Sequence, residues 1–136
     1  MARGLRLAFQ LVVDADVPGL HPRPASACRG ASPDNGFAVE LDIAGGEHRY
    51  CFCDTGLCVP YPPDLNTTGR KGVYDGVIVW YGNNWIGPSD TISPERQPFP
   101  PGTYTVTVRA EGTRDVPGTV RESYEVVAQR SLTILP

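Results

Sequence analysis

Apolar and polar residues alternate along several short stretches of the chain, the pattern of a strand with one buried face. Leu5, Leu7, Phe9, Leu11 and Val13 alternate with Arg6, Ala8, Gln10 and Val12. Phe37, Val39, Leu41 and Ile43 alternate with Ala38, Glu40 and Asp42, and Gly45-Gly46 then gives a tight hairpin signal. Glu47 to Cys53 predicts the returning strand, with His48, Tyr50 and Phe52 on one face and Arg49, Cys51 and Cys53 on the other. Asp54-Thr55-Gly56 reads as a turn, and Leu57 to Tyr61 as a short strand ended by prolines.

Val73 to Tyr81 predicts a strand with Ile78 and Trp80 on one face and Val77 and Val79 on the other. Thr103 to Ala110 is the clearest strand, with Tyr104, Val106 and Val108 inward and Thr103, Thr105 and Thr107 outward. Val120 to Ala128 follows with Tyr124 and Val126 inward, and Ser131 to Leu135 reads as a final edge strand. Between them, Pro18 to Pro33, Asn66 to Gly72, Gly82 to Pro101 and Gly112 to Gly118 read as loops or turns. No stretch carries a convincing helical period. Seven or eight strands without helical crossovers predict an all-β protein, a single immunoglobulin-like antiparallel β-sandwich with long loops over residues 1–136.

Composition narrows the function. A chain of 136 residues fits one domain that holds its own core. The 15 glycines and 14 prolines fall between the apolar runs, as turn residues do. A net charge of −3 gives no electrostatic footprint for nucleic acid or an anionic membrane. No apolar run is long enough to span a bilayer. Arg3 and Arg6 before Leu7–Val13 resemble the start of a signal peptide, but Asp14 and Asp16 end the run early. Ala25-Ser26-Ala27-Cys28 has the outline of a lipoprotein box after a polar stretch, which argues against lipidation.

Cysteines 28, 51, 53 and 58 form an even set in a short β domain, which predicts disulfides and an extracytoplasmic location. Cys51 and Cys53 share a strand face and are poorly placed to join each other. If the following hairpin closes at Asp54-Thr55, Cys51 lies opposite Cys58, leaving Cys28 to Cys53; Cys28–Cys51 with Cys53–Cys58 remains open. The rival is zinc bound by His48, Cys51, Cys53 and Cys58, but His48 falls on the opposite strand face from the first two cysteines. The prediction is no metal and no cofactor.

Trp80-Tyr81-Gly82-Asn83, then Gly87, then Phe99-Pro100-Pro101-Gly102-Thr103-Tyr104-Thr105-Val106 reads W-x-G-N … G … P-x-G-x-Y-x-V. From Val77 to Ala110 this resembles the Ig-like repeat of bacterial flagellar hook-capping proteins and related surface modules. It is also similar to the bacterial intracellular proteinase inhibitor family. The resemblance implies a β-sandwich with a binding or assembly role. The segment between Trp80 and Pro101 is longer than in those families and the cysteines are outside their pattern; an oxidised domain argues against a cytoplasmic inhibitor.

Tyr81, Asn83, Asn84, Trp85 and Asp90 are the candidate binding residues, because aromatic faces beside amides and carboxylates suit a sugar or a peptide. The bland alternative is a Trp85 folded over the core and amides that satisfy their own loop. Asp54, Asp64, Asp75 and Asp90 show no calcium-loop spacing, and Asn66-Thr67-Thr68 is an N-x-T sequon in an exposed loop. No nucleophile and base stand at a catalytic spacing, so no catalytic residue is assigned. The expected function is a non-enzymatic binding or assembly module at a bacterial surface or in an extracellular structure. Its partner would be a protein, with self-association through the terminal edge strand as one route. The alternatives are a carbohydrate-binding module using Trp85 and Tyr81, or a proteinase inhibitor presenting residues 82–98. Thiol titration of the denatured chain is expected to find no free thiol without reductant and four with it; free thiols with bound zinc would overturn the disulfides.

Overall fold

The structure, a computed structural model, describes residues 4–22, 36–37, 39–51, 66–84 and 97–136. It is all-β and antiparallel, with β1 Leu5–Val13, β2 Val17–Pro22, β3 Val39–Gly45, β4 His48–Cys51, β5 Thr67–Gly69, β6 Gly72–Trp80, β7 Gly102–Arg114 and β8 Glu122–Ile134. No helix among the described residues is long and apolar enough to cross a membrane.

β1 and β6 form a two-stranded ribbon, in register from Leu5 opposite Trp80 to Val13 opposite Gly72. The other six strands form one sheet in the order β4-β3-β7-β2-β5, with β8 along the second flank of β7. β2 continues β1 and β5 precedes β6, so the pair β1–β6 bends at a corner and carries on as β2–β5. At that corner the Lys71 amide donates to Asp16 Oδ1 at 2.8 Å, and the Tyr74 hydroxyl donates to the Arg70 carbonyl at 2.9 Å.

The ribbon lies on the large sheet through two apolar clusters. One joins Leu41, Ile43, Tyr104 and Val106 of the sheet to Ile78 and Trp80 of the ribbon, with Phe99 between them. The other joins Val13, Leu20, Phe37, Val39 and Ala110 near the corner. Ile43 is completely inaccessible to solvent. Phe9 lies across the ribbon over Gly76, and a Cβ there would collide with its ring. Glycine at this position lets the tip of an aromatic ring approach the backbone of the neighbouring strand closely.

Several predicted boundaries are corrected. The stretch expected to be a loop from Pro18 begins with strand β2, which pairs with β5 and β7. Its register is irregular between Val17 and Leu20, where Gly19 takes a φ of +70° and Pro18 offers no amide. Asn66 to Gly72, read as a loop, contains the short strand β5. The first hairpin turns at Gly46-Glu47, one residue later than predicted, with Gly45 opposite His48. β7 runs past Gly112 to Arg114, because β8 pairs with it along its whole length. The separate edge strand at Ser131 is the end of β8. Thr107 faces away from the ribbon, as predicted, yet is buried, with Gln129 Nε2 donating to its hydroxyl at 3.3 Å. The Leu57–Tyr61 strand lies outside the described residues.

Val126 departs from its predicted burial. Its register opposite Ala110 puts it on the inward face, yet it is 50% exposed because no strand of the ribbon reaches it.

The β7–β8 turn is tied to β2. The Asp115 amide donates to the Gly19 carbonyl at 2.9 Å, and the Asp115 carboxylate accepts from His21 Nε2 at 3.0 Å and from Arg121 Nε at 3.1 Å. The His21 hydrogen bond, helped by the charges of His21 and Arg121 and opposed by partial burial, holds the Asp115 carboxyl below its ordinary value of 3.8. A depressed folded-state value stabilises the fold above the ordinary value, and that stability disappears as pH falls through the lowered one. Urea midpoints measured against pH should show this acid-side loss in the wild-type chain and not in Asp115→Asn.

Candidate functional site

The sequence-predicted site divides into a pinned neck and an exposed aromatic. β6 ends at Trp80, and the chain then runs beside residues 97–99. The Phe99 amide donates to the Gly82 carbonyl at 2.7 Å, the Asn84 amide donates to the Gln97 carbonyl at 3.1 Å, and Asn83 forms an antiparallel bridge with Pro98. Asn84 and Gln97 are therefore held side by side in a fixed frame.

Asn84 uses its whole side chain to hold that frame. Its Oδ1 accepts from the Arg49 amide at 2.9 Å, and its Nδ2 donates to the Gln97 carbonyl at 2.7 Å and to His48 Nδ1 at 2.9 Å. Acceptance at Nδ1 puts the neutral His48 proton on Nε2. Asn83 contributes its carbonyl, which accepts from Trp80 Nε1 at 2.9 Å. The Asn84 side-chain amide is thus used by the fold itself, whereas Asn83 joins the frame through its main chain.

Under the neck, Phe99 is the centre of an aromatic group. Its ring centroid lies 4.8 Å from Trp80, 4.7 Å from Tyr104 and 5.3 Å from His48. The Tyr104 hydroxyl donates to the Pro100 carbonyl at 2.6 Å, closing the Pro101-Gly102 turn before β7. Tyr81 is apart from this group. It is 61% exposed, and its ring lies beside Gly4 at the open end of the ribbon. Trp85 and Asp90 lie outside the described residues.

Cys51 is buried at the end of β4 and is not a free thiol. It stands opposite Asp42, whereas His48 turns to the aromatic group on the other face of the strand. The described part of the zinc pattern is thus split across two faces. Cys28, Cys53 and Cys58 lie outside the described residues. No group of three or more metal-binding side chains occurs among the described residues. The Asp75 carboxylate accepts from Gln10 Nε2 at 3.0 Å on the outer ribbon face.

A second surface takes in the start of the terminal edge strand read at Ser131–Leu135 and extends beyond it. A cleft of about 370 Å³ runs between Leu7–Gln10 of β1 and Ala128, Arg130, Ser131 and Leu132 of β8, with Leu41, Val106 and Val108 as its floor. Among the described residues β1 pairs only with β6, and β8 only with β7, so both strands bordering the cleft carry an unpaired edge. Val126, Ala128, Arg130 and Leu132 form one row on the inward face of β8, opposite Ala110, Val108, Val106 and Tyr104. Leu132 packs on the core, while Val126, Ala128 and Arg130 are exposed. Period-two alternation marked this row as inward. It carried no sign that the covering layer would stop short.

Comparison of the chain with protein-family models, with curated proteins and with solved structures finds no match.

Removing the Asn84 side-chain amide leaves the Arg49 amide and His48 Nδ1 short of partners, while the Gln97 carbonyl keeps only the Asn84 backbone amide. Asn84→Ala should lose roughly 1–2 kcal/mol of stability in chemical denaturation. It should also perturb the amide resonances of His48, Arg49 and Gln97 together, whereas Tyr81→Ala should leave all three unchanged.

Proposed function

We infer that this chain is a non-enzymatic binding or assembly module of immunoglobulin-like type that joins another protein through β8. The observation that carries this reading is the second flank of β8, whose thirteen residues pair on one side only among the described residues. Natural sheets shorten, charge or cover such edges, because a row of unpaired amides and carbonyls templates another strand. Here the edge is long and borders an apolar cleft instead. Main-chain bonding along a free edge supplies affinity, and pockets for alternate side chains supply specificity.

The buried Cys51, which is not a free thiol, supports disulfide bonding and hence an extracytoplasmic place of work. The pinned neck supports a weaker second reading, in which residues 85–96 are presented from a rigid base, as a proteinase inhibitor or a glycan-binding loop requires. The edge strand is preferred because it offers main chain and side chains together along its length, whereas the Asn84 side chain is occupied by the frame.

A photoreactive residue placed at Val126 is expected to give a discrete cross-linked species when the chain is expressed in its native cells. The same residue at Val120, in the β7–β8 turn, should give none. Equal labelling at the two positions, or none at Val126, would remove β8 as the docking edge.

A further inference from the structure

We propose that the cleft between β1 and β8 receives an extended acidic segment of a different protein, laid against the free edge of β8 with a carboxylate opposite Arg130. This rests on the reading of β8 as a docking edge and adds the chemistry of what docks there.

The walls and floor of the cleft are mainly apolar: Leu7, Ala8, Phe9, Leu41, Val106, Val108, Ala128 and Leu132. Arg130 is the one charged side chain among the residues that line it. The other arginines near β8 have acidic partners: Arg109 with Glu125 at 3.8 Å, Arg114 with Glu122 at 2.8 Å, and Arg121 with Asp115 at 3.1 Å. Arg130 has none among the described residues. A strand added to β8 sets its side chains alternately toward the cleft and away from it. Its apolar residues would lie on Leu7, Phe9 and Leu132, and an acid in the same row would meet the guanidinium, which is shaped to receive a carboxylate.

The same charges argue against a second copy of this chain. On the inward face of β8, residues from Tyr124 to Ile134 include no acid. Glu122, the acid in that row, is already held by Arg114 through Nε at 3.0 Å and Nη2 at 2.8 Å. β1 has no acid at all between Leu5 and Val13. Neither β1 nor the inward face of β8 in another copy brings a free carboxylate to Arg130.

The test titrates the full chain, labelled with nitrogen-15, with short synthetic peptides of alternating valine and threonine. One carries a glutamate in the middle of its valine row, and the other a lysine. The expected result is binding of the glutamate peptide about tenfold more tightly than the lysine peptide, with shifts at the amides of Leu7–Gln10 and Ala128–Leu132. Arg130→Glu should reverse the preference and Arg130→Gln should abolish it. Equal binding of both peptides, or a preference that survives Arg130→Glu, overturns the proposal. If neither peptide binds and the chain sediments as a dimer with protected β8 amides, a second copy is the occupant. The acidic partner then falls while the docking edge stands. If neither binds and the β8 amides are protected in a monomer, the chain covers its own cleft and the proposal falls. Absence of binding, of protection and of the Val126 cross-link together removes both.

Discussion

β7 is bonded by β8 along its full length on one side and by β3 and then β2 on the other. Directly opposed residues of an antiparallel pair share a face, so the alternation of Tyr104, Val106, Val108 and Ala110 sets which residues of its neighbours turn inward. Leu41 and Ile43 of β3 and Leu132 of β8 fall into the same layer through that register. A slip of one residue would turn Tyr104 and Val106 outward and detach the ribbon that rests on them.

The ribbon is two strands wide, while the sheet beneath it is four strands wide across β4, β3, β7 and β8. Neighbouring strands lie about 4.8 Å apart, so a two-stranded layer leaves a margin uncovered on a broader sheet. Toward β4 the margin is filled by Phe99 and Tyr50, which pack on Trp80. Toward β8 no described residue fills the margin. The cleft is therefore a result of unequal layer widths, and its polarity follows from having the rim of the apolar core as its floor.

The strands that bury one face were legible because burial imposes the alternation itself. β1, β3, β6 and β7 read directly from Leu7, Leu41, Ile78 and Val106 and their neighbours. β2 and β5 were not legible. Pro18, Gly19 and Pro22 look like loop residues, and their strand geometry depends on pairing with residues far along the chain. Three residues are also too few to show a period in β5. The Trp80 and Tyr104 pattern located the aromatic end of the core, including the turn closed by the Tyr104 hydroxyl. The occupation of Asn84 was hidden because its partner Arg49 lies 35 residues earlier. The openness of Val126 was hidden for a different reason: alternation reports direction, while exposure depends on how far the other layer extends.

The neck at Gly82–Asn84 and Gln97–Phe99 has a bearing on how this chain can diversify. Its two sides are joined by main-chain bonds and by Asn84, over an aromatic group that draws Trp80, Phe99, Tyr104 and His48 from either side of that segment. The closure entropy of a connection grows only with the logarithm of its length, so doubling the intervening segment costs about 0.6 kcal/mol. The main-chain bonds across the neck set no length for that segment, so insertions and deletions there leave the strand pairing on either side in register. The frame serves as a graft point, where new surface can be acquired without altering the pairing of the strands that carry it.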